Sequence, residues 1–593
     1  MSSHIKRLFS VLAVSIVAGI TAVACGGANP TATPRPAAPT ATLAPSPTAA
    51  PASPTVAART PTPAPTATTA PAPTPTVSAP APRTGGVLTT RYIRDSSLFD
   101  TYDVRSWPET AIVMPALNHL VMEDAANRGR IIGDLAESFQ VGQDGKTITF
   151  KLRNGVQWHD GRPFTAADVV ANVSQAKTPT VTTRTFMALR YQIVDSVTAP
   201  DPSTVQMVLS RPSASFLAGI SIMVSLMYPP HVPLDQLKTN LIGTGPFKFK
   251  QYRASDRLTY ERNPGYFKKD QAGRSLPYLD GIEYYFITDA SLAKAAFVSG
   301  RTMATLSNFD SDWAAAAARD LRQQFPTADF NPAITNRFDL YVARKAPWTD
   351  ARVRRALHVA LDRAFFTQTV REGAAEPLAG HLLPANRGGV WALPEQELRQ
   401  APGYRDPKDP DIAEAKKLLQ EAGINAATFK PVVLGSGSFA THRSVAETTV
   451  GFLKQTFGID ATLTLYNTTA EGTTIERRGD FDITIKSAST ILDDPFEAIG
   501  NFMATGGATN TQQWSVQRID TLLNQQDAEL DPAKRKAIVD QLSRAVLEEA
   551  ISIPVFWDVG MIVHKAPVKN FVRMASTWFP ASYYRWESAW LEQ

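Results

Sequence analysis

The chain has 593 residues, 44% of them hydrophobic and 19% charged, with one cysteine and a formal net charge of +5. The whole excess sits ahead of residue 85, in Lys6, Arg7, Arg35, Arg59 and Arg83, and the rest balances acid against base. A body with no basic surplus lacks the electrostatic footprint of a nucleic-acid binder. A single cysteine excludes an intramolecular disulfide.

Lys6 and Arg7 precede an uncharged run from Leu8 to Ala24 that ends in Ala22-Val23-Ala24-Cys25-Gly26-Gly27. A short basic region, an apolar core and small residues before a cysteine predict a lipoprotein signal peptide over 1–24, with Cys25 as the lipid attachment site. Ala22 stands where leucine is most common in such signals. An uncleaved anchor and a secretory signal with a free thiol are the alternatives. From there to residue 84 the chain is almost wholly Pro, Ala and Thr, and the first acidic residue is Asp95. Such a stretch cannot bury enough apolar surface to offset its ordering entropy. Its prolines favour extended polyproline II, so 25–84 is expected to be a semi-rigid tether. The composition also suits O-glycosylation. Lipid plus tether places the body outside the cytoplasm, on the outer face of the cell membrane (periplasm or cell surface).

About 509 residues follow the tether, too many for one core, so two or three lobes are expected. Strand and helix patterns interleave, which predicts an α/β organisation. No 20–50-residue repeat is found. In Lys146–Val173, the alternating Ile148, Phe150 and Leu152 predict a strand. Asn154-Gly155 and Asp160-Gly161 are turn dipeptides on either side of a second strand. Thr165 with Asp168 reads as a capping box opening a helix.

Further along, Gly243-Thr244-Gly245-Pro246-Phe247 leads into a stretch ending at Phe267, and Tyr278–Gly300 reads as strand then helix. In Pro347–Arg363 the residues Val353, Ala356, Leu357, Ala360 and Leu361 share one helical face, with Asp350 as cap. In Asp411–Gly423 the stripe is Ala415, Leu418, Leu419 and Ala422, with Gly423 suited to the left-handed position after the helix. Phe481, Ile483 and Ile485 alternate as a strand, and Ser552–Trp557 forms another segment.

Taken in order, these segments resemble the bacterial solute-binding proteins of family 5, the peptide-, nickel- and opine-type receptors of ABC importers, over roughly 85–593. The resemblance implies a class II periplasmic-binding-protein clamshell of two lobes plus an extra α/β domain. Lobe I would be 85–115, 241–334 and 566–593, the extra domain II 116–240, and lobe III 335–565. The chain would cross between lobes near Ala333–Arg337 and Val563–Val568, a hinge that closes on a ligand. It implies capture of a peptide or other small polar oligomer for an ABC permease, as a monomer, without cofactor, nucleic acid or catalysis. A clamshell sensor for a signalling partner, an oligosaccharide- or opine-like ligand, and a secreted hydrolase stay open as alternatives.

Catalytic and metal patterns are mostly absent from the sequence. The eight histidines, at 4, 119, 159, 231, 358, 381, 442 and 564, form no His-x-x-x-His pair. Gly243-Thr244-Gly245 lacks the third glycine of a dinucleotide loop. Ser291-x-x-Lys294 has no Ser-Asp-Asn or Lys-Thr-Gly companion. His159-Asp160 reads as a turn rather than an acid–base pair. In peptide-binding members an aspartate three residues before an acidic-Pro dipeptide pairs with the ligand ammonium. Here that dipeptide is Asp494-Pro495 and the position is Ile491, where a buried ammonium would lack a counter-charge. Asp493 is the candidate substitute, and the departure leaves room for other solutes. Ser489 and Thr490 could donate hydrogen bonds. Phe309, Trp313, Trp514 and Trp557 lie in segments that border the cleft in the family and could supply apolar walls.

Overall fold

Two strands carry the architecture, Asp329–Val342 and Ser552–His564. They pair antiparallel over almost their whole length in a computed structural model that describes residues 81–92, 95, 112–178, 190–222, 225–237, 239–305, 315–488, 492–571 and 586–592. The signal segment, Cys25 and the tether up to residue 80 lie outside the described residues. Among the described residues the largest sheet has 11 strands, and the two long strands lie at its middle.

On one side of that pair the sheet continues through Ile483–Ala488, Val432–Ser436 and Thr462–Tyr466. On the other it continues through Ala304–Thr305, Val87–Tyr92, Gly281–Phe286, Arg257–Arg262 and Phe247–Arg253. Each half has its own core. One is built mainly from residues between Leu88 and Phe286 with Trp586 and Ala589, the other from residues between Phe338 and Phe556. A separate four-stranded antiparallel sheet, Ala136–Val141, Thr147–Leu152, Thr204–Leu209 and Val194–Asp201, packs into the first core. Mixed parallel and antiparallel strands with flanking helices make the fold α/β.

Local signals behave as the residue types dictate. Ile148, Phe150 and Leu152 point inward from Thr147–Leu152. Gly155 and Gly161 adopt positive φ of 73° and 89° at their turns. The Asp168 carboxylate accepts the Thr165 N–H at 2.7 Å and completes the capping box of helix Ala166–Lys177. Asp350 caps Ala351–Ala360 through the Arg352 N–H at 2.8 Å. Gly423 takes the left-handed position just past Asp409–Glu421. The expected second strand after Asn154-Gly155 is corrected: a single bridge, Gln157 to Pro163, stands there. Proline has no N–H to extend a ladder, and the turn at Asp160-Gly161 leaves no room for one.

The return of the chain to the first half is fixed sterically. A Cβ on Gly243 would lie 1.8 Å from the Ala116 carbonyl oxygen, and one on Gly245 would lie 2.4 Å from the Ala116 carbonyl carbon. The Gly245 N–H donates to that same carbonyl oxygen at 2.9 Å. Gly243→Ala is therefore expected to destabilise by about 2–4 kcal/mol, because backbone meets backbone with no flexible side chain to yield. Urea unfolding checks this. A midpoint equal to that of the unaltered protein would show that the Ala116 segment shifts freely.

Candidate functional site

The long strands do not run in perfect register. The pairing shifts between Ile334 and Arg337, and again between Phe338 and Asp339. At the shift, Arg337 and Asp339 form an ion pair with both side chains fully buried, at 2.7 Å from Nε to Oδ1 and 2.8 Å from Nη2 to Oδ2. Asp339 Oδ2 also accepts the Ser552 hydroxyl at 3.1 Å, and Arg337 donates to the His381 carbonyl. The guanidinium lies 5.5 Å from the centre of the Trp557 ring. The ion pair lies within one strand, and the Ser552 hydrogen bond and the Trp557 stacking contact tie it to the other beside the bulges.

Next to this crossing, the segment after Ile483–Ala488 enters the opposite half. Leu492 is 5% exposed and packs within the first core. Asp493 follows it, and its Oδ2 accepts the Val390 N–H at 2.7 Å, while its Oδ1 is buried with no hydrogen-bond partner. Burial pushes the Asp493 carboxyl up to about 7, with nearby Glu123 and Asp494 adding to the rise and Arg128 opposing it. Glu123, on strand Val121–Glu123 of the first half, is also raised by burial, and its Oε1 accepts the Gly129 N–H at 2.7 Å. Arg128 Nη1 is likewise buried with no hydrogen-bond partner. Asp494 is held differently: its Oδ2 accepts from Arg535 at 2.7 Å and its Oδ1 from the Phe496 N–H at 2.9 Å. Arg535 in turn lies 4.5 Å over Trp391.

Of the residues singled out in the sequence, Asp493 stands at this junction. Trp557 is fully buried beside the crossing, its indole N–H donating to the Gly380 carbonyl at 3.1 Å. Trp514 is half-buried between the core and Arg354, its N–H taken by the Val342 carbonyl at 2.9 Å. Phe309, Trp313, Ser489, Thr490 and Ile491 lie outside the described residues. Glu123, Arg128 and Arg535 were not legible as site residues, because Glu123 and Arg128 act on Asp493 from more than three hundred positions away and Arg535 reaches Asp494 from 41.

The rejected catalytic pairs have structural partners. His159 lies between two backbone groups, the Gly245 carbonyl at 3.0 Å and the Gly243 N–H at 3.2 Å, and burial lowers its pKa to about 4. Asp160 pairs with His231 at 2.7 Å. Ser291 is exposed, and Lys294 pairs with Asp320 at 3.0 Å. Among the described residues no cluster of three or more His, Cys, Asp or Glu could hold a metal ion, and no helix is long and apolar enough to cross a membrane.

Two halves are thus joined by a paired crossing, and two buried atoms of charged groups, Asp493 Oδ1 and Arg128 Nη1, lack hydrogen-bond partners while Arg128 acts electrostatically on Asp493. The model for bacterial extracellular solute-binding proteins, family 5, matches residues 130–510, and the chain belongs to that family. It is 26% identical over 460 residues to the glutathione-binding protein GsiB of Shigella dysenteriae, an alignment covering 75% of this chain and 84% of that protein. In fold it is similar to the ABC transporter substrate-binding protein CtaP of Listeria monocytogenes, with a TM-score of 0.71 at 20% identity over 86% of this chain and all of that one. It is similar also to DppA of Helicobacter pylori in complex with a peptide, with a TM-score of 0.67 at 19% identity over 86% and 99%.

The raised Asp493 carboxyl has a pH signature. Its folded pKa of about 7 lies above the ordinary 3.8, so the folded state holds more protons between those values. Stability should then fall as pH rises from about 4 to about 7 and level off above. Asp493→Asn should flatten that decline and raise stability at alkaline pH. Urea unfolding across the range checks it, and parallel curves for the two proteins would contradict the assignment.

Proposed function

We propose that the protein captures a small zwitterionic, peptide-like solute at the junction of its lobes and delivers it to an ABC permease. The observation that carries this reading is a pair of buried atoms without hydrogen-bond partners, Asp493 Oδ1 and Arg128 Nη1, on residues close enough for Arg128 to lower the Asp493 carboxyl electrostatically. A ligand ammonium beside Asp493 and a ligand carboxylate beside Arg128 would satisfy both atoms and bridge the halves. Buried charges left unpaired are costly, so each half favours a ligand that supplies the missing partner. Ile491 then contributes apolar wall, and Ser489 and Thr490 polar contacts. The similarity to a glutathione-binding protein supports a ligand of tripeptide size with ends of both signs.

In this reading lobe I comprises 85–115, 241–334 and 566–593, the extra domain 116–240 and lobe III 335–565. The long strands are the hinge, and closure traps the solute for the permease. The body works as a monomer and leaves the solute chemically unchanged. Cys25 carries the lipid, and 25–84 is the tether that lets the body reach the permease from the outer face of the membrane. A diacylated cysteine would contribute roughly 0.8 kcal/mol for each buried methylene.

Calorimetry with reduced glutathione and its N-acetylated form tests the site. The free tripeptide should bind the unaltered protein, and acetylation or Asp493→Asn should each weaken binding at least tenfold, as expected when a buried charge loses its partner. Equal affinity for the free and acetylated peptides would overturn the ammonium assignment.

Anchoring is checked separately. Cys25→Ala should move the protein from the membrane fraction to the soluble one. A variant that still sediments with membranes through a high-salt wash would place the anchor elsewhere.

A further inference from the structure

We infer that Asp527 is a positioning residue that latches the extra domain onto lobe III and thereby sets the population of the closed state, without touching the solute. This rests on the clamshell reading above. Asp527 is the penultimate residue of helix Gln517–Ala528 and is 1% exposed. An anion at a helix C-terminus faces the negative end of the helix dipole, so its own helix does not account for it.

Its partners come from a single stretch of the other half, Arg211–Ser215. Oδ1 accepts the Ser213 hydroxyl at 2.9 Å, the Ser215 hydroxyl at 2.5 Å and the Ser215 N–H at 3.1 Å. Oδ2 accepts from Arg211 at 2.5 Å. The Asp527 backbone carbonyl accepts the Ala214 N–H at 2.6 Å. One residue thus gathers the hydrogen-bonding groups of a whole loop more than three hundred positions away. Two further contacts flank it. Arg190 pairs with the buried Glu497, and Gly145 lies so close to Leu530 that an added Cβ would come within 2.8 Å of its Cδ1.

The latch is wired to the solute site. Gln526, the preceding residue, is fully buried and accepts from Arg535 Nε at 2.9 Å. The same guanidinium holds Asp494, the neighbour of Asp493. Docking of Arg211–Ser215 therefore fixes the helix end that orients Arg535, and Arg535 fixes the segment carrying Asp493. In an open arrangement Asp527, Arg211 and the two serines return to water, so the contact favours the closed state only. A contact made in one of two states shifts their ratio by the full value of its interaction.

The test measures spin-label distances by pulsed electron resonance. Labels are placed at Asn154→Cys and Lys417→Cys, on opposite halves, in the full chain carrying Cys25→Ala. The protein with Asp527 intact should show two separations, short and long. Asp527→Asn should raise the long-to-short ratio roughly tenfold, within the range of allosteric couplings. Arg211→Gln, changed on the opposite and more exposed side of the contact, should move it in the same direction. It reads the latch even if Asp527→Asn fails to fold. Two separations with an unchanged ratio in the folded variants would overturn the latch and leave the clamshell standing. A single separation in every protein would overturn the clamshell and the latch with it.

Discussion

The rest of the structure depends on the ion pair between Arg337 and Asp339, fully buried where the two long strands shift register. Removing one partner of such a pair typically costs about 3–5 kcal/mol, because the other is left charged and unsolvated. Here the consequence reaches beyond stability. Asp339 also accepts from Ser552 on the neighbouring strand, and Arg337 stacks on Trp557 and reaches the His381 carbonyl. The pair therefore fixes how one strand lies on the other at the point where the sheet passes from one half to the other. A register slip of one residue would turn every inward side chain outward and misplace both lobes.

With the crossing fixed, electrostatics at the junction are what the proposed solute site rests on. Asp493 and Glu123 are both buried and both raised, and the positive charge of Arg128 offsets only part of that strain. Asp494, one residue on, is satisfied by Arg535 and needs nothing further. In the proposed reading, the contrast between adjacent aspartates separates a structural carboxylate from one that a ligand would complete. A solute with an ammonium at one end and a carboxylate at the other, as proposed, would relieve the strain on both halves together. Neutral solutes of the same size would leave it in place, so specificity arises from groups left unpaired as much as from contacts made.

How much of this was legible in the sequence followed the range of the interactions. The strand at Ile148, Phe150 and Leu152, the Thr165–Asp168 box and the Asp350 cap were readable because their partners lie within a few residues. The family resemblance carried the order of elements and the clamshell expectation. Pro163 silenced the expected second strand, since a ladder fails where one residue lacks an N–H. Trp514 and Trp557 were attractive as aromatic walls, yet aromatic identity says nothing about which side a ring faces, and both indole N–H groups are taken by backbone carbonyls. Asp493 was identified only as a substitute for the position held by Ile491. Glu123, Arg128 and the Asp527 contacts gave no local signal at all, because each is created by folding distant segments together.

Two backbone amides report the junction from its two sides. The Gly129 N–H is bound by Glu123 and the Val390 N–H by Asp493. Hydrogen exchange at these two amides, followed while reduced glutathione is added, tests directly whether a solute bridges the halves. Both amides should slow together and at the same ligand concentration. Saturable binding that protects only one of them, or neither, would contradict a site shared by the two lobes.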